Sequence, residues 1–288
     1  MAAGLGRLGM IRATLADRAE VEDFLRHHLQ IAMFPLANLH RHGMAGGHPR
    51  AMAFWLRKDG GAITDVAAIT DGGFLFPVCP THPWADLRVA MQGSAIAAIL
   101  GEAGQVTSLR AALGLESAAG HATTEPHYDL SLADLVMPDT AGFTLRPLAH
   151  APRDLVIGWR RAYLLETMFG QESDVDATAI KDIDSYLAAD SHRVLCDGDT
   201  PVAMTGFNAV LPDAVQIGGV YTPPDLRSRG HARRAVALHL AQARASGVTR
   251  AILFAATASA SKAYAAIGFR RIGAFGIVLH AEPQVVHG

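Results

Sequence analysis

The stretch Val215–Val236, which reads VQIGGVYTPPDLRSRGHARRAV, decides the fold of this chain. Its first part, Val215–Tyr221, is an apolar run with β-branched and aromatic residues, which predicts a strand. Pro223 and Pro224 have no backbone N–H, so the strand must end or splay before them. After Gly230 the apolar residues recur at helical spacing, and polar residues, mostly arginines, occupy the other face. The stretch is therefore predicted to form a strand, a turn, a basic loop and a helix.

The basic loop has the composition of an anion-binding site. It leads into a helix N-terminus, where unpaired N–H groups and the helix dipole favour negative charge. Arg227, Arg229 and Arg233 add full positive charges. Gly230 has no Cβ, so a phosphate can approach the backbone closely there. We therefore expect a phosphate group to bind at this loop.

The loop also resembles a known signature. Residues 227–232, RSRGHA, are similar to the pyrophosphate-binding sequence Q/R-x-x-G-x-G/A of the GNAT acetyltransferase superfamily, and the preceding VYTPP is common in its bacterial members. This resemblance implies that the chain binds acetyl-CoA as a co-substrate. The implied contacts are Arg227, Ser228, Arg229, Gly230, His231, Ala232 and Arg233. The alternative is an ordinary strand-to-helix connection with a basic cap.

The same resemblance assigns roles to the backbone of the preceding strand. It implies that Val215–Thr222 splays from its neighbour, so that free backbone groups pair with the pantetheine arm. The Val220 N–H then falls at the position of the thioester-carbonyl donor, and Thr222 at the position that binds the pantetheine amide. Neither role requires a particular side chain, so ordinary strand residues are the alternative interpretation of both.

A second motif, TASASKAYAAIGF, occupies residues 257–269. It resembles the family pattern N-x-x-S/A-x-x-x-Y-x-x-x-G-F, which places Tyr264 where a phenol protonates the departing thiolate. A phenol with an ordinary pKa of about 10 carries its proton at neutral pH. The alternative is a packed helix aromatic beside Phe269. Thr257 replaces the usual Asn and keeps only a hydroxyl. Further cofactor contacts are implied at Thr257, Ser259 and Lys262.

The general base is left open. Some family members carry a glutamate on the central strand, but the corresponding residue here is Gln216, which cannot accept a proton at a useful pH. A water chain or another titratable residue must then do this work. The candidates are Glu166, Glu172, Asp174 and Asp176 from the helical region, and His280 on the last strand.

Composition limits the other function classes. Half of the 288 residues are hydrophobic and 18% are charged, which is typical of a globular protein. The net charge of −2 argues against a nucleic-acid surface. Cys79 and Cys196 have neither disulfide nor zinc-ligand spacing, and the histidines are scattered, so we expect no metal. No leader or membrane segment is recognised, so a cytoplasmic monomer or homodimer that does not bind membranes is expected.

The element pattern predicts an α/β (α+β) chain with two similar halves. Each half reads β-α-α-β-β-β-α-β-α-β, and the Met137–Gly142 segment looks like a linker. By the resemblance, residues 1–138 and 139–288 are two GNAT-like domains, each a mixed, mostly antiparallel twisted sheet flanked by helices. In the first half, residues 79–84 (CPTHPW) replace the phosphate loop. Their prolines remove N–H groups and they include no Gly or Arg, so only the second half should bind acetyl-CoA.

Three functions remain open. The first is an N-acetyltransferase that moves an acetyl group from acetyl-CoA to an amine of a small molecule or peptide by direct attack. The second is a non-catalytic acyl-CoA-binding or sensing protein, which would not need Tyr264. The third is a tandem-GNAT aminoacyltransferase, which the Arg/Gly loop and the net charge of −2 disfavour.

Overall fold

The computed structural model describes residues 9–44, 46–116, 119–167 and 174–288. The chain divides into two compact units. The first contains Met1–Glu125 together with Ala274–Gly288, and the second contains Pro126–Gly273. These boundaries differ from the predicted division into 1–138 and 139–288.

The first unit contains one mixed sheet and four helices among its described residues. Its sheet order is β1-β2-β3-β4-β5-β12, with antiparallel neighbours except for the parallel pair β4–β5. The elements are β1 (Ile11–Arg12), α1 (Arg18–His27), α2 (Leu29–His42), β2 (Met52–Asp59), β3 (Ala62–Thr70), β4 (Phe74–Val78), α3 (Trp84–Ala90), β5 (Ala95–Glu102), α4 (Ala103–Ala112) and the C-terminal strand β12 (Arg270–Val285).

The second unit repeats this arrangement, with three of its four helices longer than their counterparts. Its sheet order is β6-β11-β10-β9-β8-β7, again antiparallel except for β10–β11. The elements are β6 (Ala119–Ser131), β7 (Phe143–Pro147), α5 (Arg153–Thr167), α6 (Val175–Ala189), β8 (His192–Asp197), β9 (Thr200–Val210), β10 (Ala214–Tyr221), α7 (His231–Ala245), β11 (Arg250–Phe254) and α8 (Ala258–Ala265).

The predicted fold class and element order are confirmed in both halves, but two strands belong to other sheets than the prediction gave. Residues 127–131 of β6 pair with β11, in the second unit. β12 pairs with β5, in the first unit. The Met137–Gly142 segment, predicted to be a linker, lies inside the second unit. The chain instead crosses between units within the strands β6 and β12.

Apolar side chains cover both faces of the second unit's sheet. One cluster joins β6, β10, β11, α7 and α8, and it includes Ile217, Leu240 and Tyr264. The other joins β8–β10 with α5 and α6, and it includes Trp159 and Tyr221. β10 supplies both clusters, because the register shift between Gly218 and Tyr221 places Tyr221 on the face opposite Ile217. Helices therefore pack on each face of this sheet.

Among the described residues, no helix combines the length and the apolar character that a bilayer crossing requires.

Candidate functional site

β10 and β11 separate after a short parallel ladder. Their pairing runs from Ala214↔Arg250 to Gln216↔Ile252 and then stops, although β10 continues to Tyr221. The C-terminal half of β10 therefore has no strand partner on its β11 side among the described residues. This is the separation that the sequence predicted, and a ligand with amide groups can pair with the backbone there.

A β-bulge lies on the same half of β10. Gly218 pairs with Gly206 of β9 and Tyr221 pairs with Met204, so three steps on β10 oppose two on β9. Gly219 has φ +63°, a left-handed conformation that favours glycine. The bulge reorients the backbone immediately before Val220, as bulges beside functional sites often do.

The loop after β10 presents a helix N-terminus. A short 3₁₀ turn at Pro224–Leu226 follows the double proline, and α7 begins at His231 with Gly230 as its N-cap. Gly230 has φ +78°, and Ser228 adopts φ +63°, which is uncommon for a residue with a side chain. The loop thus presents the first backbone N–H groups of a 15-residue helix to a ligand.

The arginines of the loop have different surroundings. Arg227 forms a bidentate ion pair with Glu166, with both N···O distances 2.8 Å, and its Nε donates to the Thr222 carbonyl at 2.9 Å. Arg229 and Arg234 donate to backbone carbonyls, those of Asp225 and Arg229 among them. Arg227 is therefore engaged with α5, which the motif did not indicate.

Two buried polar atoms near the loop have no hydrogen-bond partner among the described residues. They are Arg233 Nε and Thr222 Oγ1. Arg233 Nη2 is 3.6 Å from the position that a Cβ on Gly230 would occupy, so this guanidinium adjoins the N-cap. Buried donors and acceptors without partners cost free energy. A ligand with phosphate and amide groups would satisfy both atoms, so the residues present fit acetyl-CoA.

The remaining predicted contacts are distributed around the loop and α8. His231 is buried, with burial lowering the pKa of its imidazole, and it packs on Phe143. Ala232 lies in the first turn of α7. Ser259 and Lys262 are exposed on α8. Thr257 is the N-cap of α8, and its hydroxyl accepts a hydrogen bond from the Ala260 N–H at 3.1 Å. Asn and Thr both cap helices, so the replacement of Asn by Thr preserves this role.

Tyr264 lies in the same apolar cluster as Val220. Tyr264 is 7% exposed and packs at the edge of Phe269, with ring centroids 6.1 Å apart. Val220 is partly buried against this cluster. Gly268 lies shortly after the end of α8 and has φ +105°. A Cβ on Gly268 would lie 2.7 Å from the Asp134 carbonyl oxygen. Thus the tyrosine and the strand backbone predicted to act together come from neighbouring elements.

The candidate bases are mostly engaged elsewhere. Gln216 is buried, and its Nε2 donates to the Ile217 carbonyl at 2.7 Å. Glu166 pairs with Arg227, and Asp176 pairs with Arg161 at 2.6 Å. Asp174 occupies the N-cap position of α6 without a side-chain capping bond. His280 belongs to the first unit, and Glu172 lies outside the described residues.

One residue near the bulge was not predicted at all. His192 of β8 is 1% exposed, and its imidazole lies against Gly206 and Gly219. The available signal was the presence of glycines inside the strands β9 and β10, because such glycines often mark a close approach of another group. Within the described ranges, no three His, Cys, Asp or Glu side chains lie close enough together to hold a metal ion.

Comparison with known protein families identifies the second unit. Residues 159–269 match the model of the acetyltransferase (GNAT) family. The chain carries a GNAT acetyltransferase domain. This domain includes the separated strands, the loop Arg227–Ala232 and Tyr264. Among curated proteins, no sequence matches the chain closely enough to count as a relative.

Solved structures support the same fold over nearly the whole chain. A Drosophila protein aligns with a TM-score of 0.62 at 13% identity, covering 94% of this chain and 98% of the other. A GCN5-related N-acetyltransferase from Sphaerobacter thermophilus gives 0.52 at 14% identity, covering 97% and 96%. A tandem GNAT protein from the clavulanic acid biosynthesis pathway gives 0.51 at 13% identity, covering 96% and 99%. The likeness to these structures therefore shows a shared fold over both units, and the family match of residues 159–269 indicates an acyltransferase domain.

Proposed function

We propose that the protein transfers an acetyl group from acetyl-CoA to an amine of a small molecule or peptide, by direct attack of the amine. The observation that carries this proposal is the open side of β10 beyond Gln216, combined with the loop that caps α7. Acetyl-CoA would supply the activated acyl group as a thioester. The protein's own contribution is then to bind, orient and exchange protons.

The donor would be held at two places on the second unit. The N–H groups at the start of α7, with Gly230 and Arg233, would bind the pyrophosphate. The open edge of β10, including Thr222, would pair with the pantetheine amides. Arg227 would position the loop through Glu166 and would not contact phosphate directly, because both N···O distances to that carboxylate are 2.8 Å.

Two groups would act at the reacting atoms. The Val220 N–H would donate a hydrogen bond to the thioester carbonyl as negative charge develops on its oxygen. The Tyr264 hydroxyl would donate its proton to the leaving thiolate. Neither group removes a proton from the acceptor, so the amine must arrive in its neutral form.

The experiment is a thiol-release assay with acetyl-CoA as donor and a panel of small amines and N-terminal peptides. We expect thiol release that depends on one class of amine, with an acetylated product found by mass spectrometry. Calorimetry with CoA runs in parallel. CoA binding without turnover against any amine would favour the acyl-CoA-sensing alternative. The absence of both binding and turnover would contradict the donor assignment itself and reopen the aminoacyltransferase alternative.

A further inference from the structure

The imidazole of His192 fills a gap that two glycines leave open. A Cβ on Gly206 would overlap the ring, and a Cβ on Gly219 would lie 2.6 Å from Nε2. Gly206 pairs with His192 on one side and with Gly218 on the other, so the side chain crosses β9 to reach β10. We call the space formed by Gly206 and Gly219 the glycine gap. Any larger residue at either position would displace the ring.

The glycine gap lies at the β-bulge of β10. Gly219 is the bulged residue with φ +63°, and Val220 follows it directly. Tyr186 of α6 stacks on the other face of the imidazole, with ring centroids 3.5 Å apart and an interplanar angle of 12°. The ring is therefore clamped between α6 and the bulge. Movement of the ring would change the packing of the peptide that precedes the Val220 N–H.

Only the neutral imidazole suits this position. Nδ1 hydrogen-bonds with the Ser191 hydroxyl at 2.9 Å, and Nε2 is buried without a partner among the described residues. Protonation of Nε2 would bury an N–H that has no acceptor. The groups that face the ring are Arg160 of α5, Tyr186 of α6, Arg193 of β8 and His239 of α7. Burial lowers the pKa of His192 well below its usual value, and His239 and the two arginines lower it further.

We propose that His192 is a positioning residue that holds the β10 bulge, so that the Val220 N–H points at the thioester carbonyl. This inference rests on the proposed function, because it assigns the oxyanion donor to Val220. Loss of one such donor lowers kcat by roughly 10²–10³-fold in other enzymes, and small misplacements also have large effects. His192, which is distant in sequence from Val220, would thus control the rate.

The test compares His192→Ala with His239→Ala. His239 is a matched control, because it is also buried in this unit, but it stacks on Phe207, with ring centroids 3.8 Å apart, while the ring of His192 fills the glycine gap. We expect kcat to fall by about 10²-fold in His192→Ala, with the KM for acetyl-CoA and the Kd for CoA within about threefold of wild type. His239→Ala should lower the melting temperature and keep kcat. A kcat near wild type in His192→Ala, or equal losses of kcat and CoA affinity, would overturn the inference.

A second variant approaches the ring from the other strand. Gly206→Ala should displace the imidazole and lower kcat in the wild-type background, but it should have little further effect in the His192→Ala background. Additive losses would contradict the proposal.

An NMR measurement separates this inference from the proposed function. In CoA-bound protein, the amide resonance of Val220 should shift in His192→Ala and stay unchanged in His239→Ala, whether or not an acceptor amine has been found. If wild type shows no acetyl transfer but the Val220 resonance behaves as expected, the proposed function fails and the positioning role stands. An unchanged Val220 resonance in His192→Ala rejects the positioning role.

Discussion

The turn after β4 in the first unit and the loop after β10 in the second unit occupy the same place in the repeated element order. In the first unit two polar groups there are bonded to the chain itself: the Cys79 N–H donates to Gln105 Oε1 at 2.8 Å, and buried Asp65 accepts from the Thr81 N–H at 2.8 Å, whereas Trp84 Nε1 is buried without a partner among the described residues. In the second unit, Thr222 Oγ1 and Arg233 Nε are buried without partners among the described residues. The two places therefore differ in which polar groups lack a partner: an indole N–H in the first unit, and a hydroxyl and a guanidinium nitrogen in the second.

The two places also differ in charge. Asp65 is fully buried in the first unit, and it also accepts the Thr81 hydroxyl at 2.7 Å. A carboxylate at that turn would repel a phosphate. The helix that follows, α3, has seven residues, whereas α7 has fifteen, and neither helix has a side-chain capping bond. These features support the prediction that the first unit does not bind the acyl donor.

A third difference concerns the proposed acid. Glu102 caps α4 in the first unit and Thr257 caps α8 in the second. Tyr264 is the seventh residue after its cap, and the seventh residue after Glu102 is Leu109, which is fully buried in the core. The first unit therefore has a hydrocarbon side chain where the second has a phenol.

The largest expected effect tests this third difference. Tyr264→Phe should lower kcat by about 10²–10⁴-fold, because general acid catalysis contributes about that much. CoA affinity should hardly change, since the loop supplies most of the binding. Both quantities are measured by steady-state kinetics with a confirmed acceptor between about pH 6 and 9.5. An α-amino group loses its proton within that range. Because no base is assigned, kcat/KM should rise with pH as the neutral amine is populated.

Tyr128→Phe is the matched control for this variant. Tyr128 is also 7% exposed and lies in the same apolar cluster. It should keep wild-type kcat. Full activity in Tyr264→Phe would assign the proton to water or another residue.

A smaller effect, on binding, tests the loop itself. Gly230→Asp places a carboxylate at the helix N-terminus and a Cβ 3.1 Å from Arg234 Nη1. Losing two charge-assisted hydrogen bonds of about 1.5 kcal/mol each weakens CoA binding by at least about 100-fold. Calorimetry should find one CoA site per wild-type chain and none in the variant.

Gly142→Asp controls for backbone strain. Gly142 has a similar φ of +81°, but no atom lies within 4 Å of its added Cβ. This variant should bind CoA normally. Two equivalent sites in wild type would show that the first unit also binds CoA, which would end the contrast between the two units.

The smallest effect concerns acid stability, which should be concentrated in the second unit. Burial lowers the pKa of His239 to about 3 and that of His127 to about 4. Unfolding restores a pKa near about 6.5, so the unfolded chain binds more protons below that pH. The contribution of these histidines to the free energy of unfolding is therefore fully present above about pH 6.5, and it is lost as the pH falls toward their folded-state pKa.

Urea unfolding at two pH values measures this loss. From pH 7.5 to 5.5, one such histidine costs about 1.4 kcal/mol of unfolding free energy. His239→Phe, which can retain the stack on Phe207, should reduce the pH dependence by about that amount. His27→Phe changes an exposed histidine of α1 and should leave the pH dependence unaltered. An equal pH dependence in wild type and His239→Phe would mean that His239 is not held neutral by burial.

The sequence predicted the elements and the two motifs well, because these depend on local patterns. Periodicity, prolines and glycines identified the order of strands and helices in both halves. The residues 227–232 indicated a helix N-terminus that could bind an anion, and the structure places Gly230 as its N-cap. The alternation of side chains along a strand reveals which face is buried, but it does not reveal which strand lies beside it. For that reason the sequence did not reveal the strands beside which β6 and β12 lie.

The contacts that the sequence did not reveal join segments that are distant along the chain. Arg227 and Glu166 are separated by 61 positions, and no local pattern links them. Gln105 meets the Cys79 N–H across 26 positions. The role proposed for His192 depends on glycines of two other strands, because the ring fits only where both lack a side chain. A lone histidine in a strand pattern gives no indication of this packing.

The assignment of β12 to the first unit has a consequence for the order of synthesis. The second unit is one continuous segment, Pro126–Gly273, whereas the first requires Ala274–Gly288 to pair with β5. On the ribosome, the N-terminal unit is therefore made first but receives β12 only after the whole second unit has been made. A stop codon just before Ala274 would remove residues from the first unit and leave the sequence of the second unit intact.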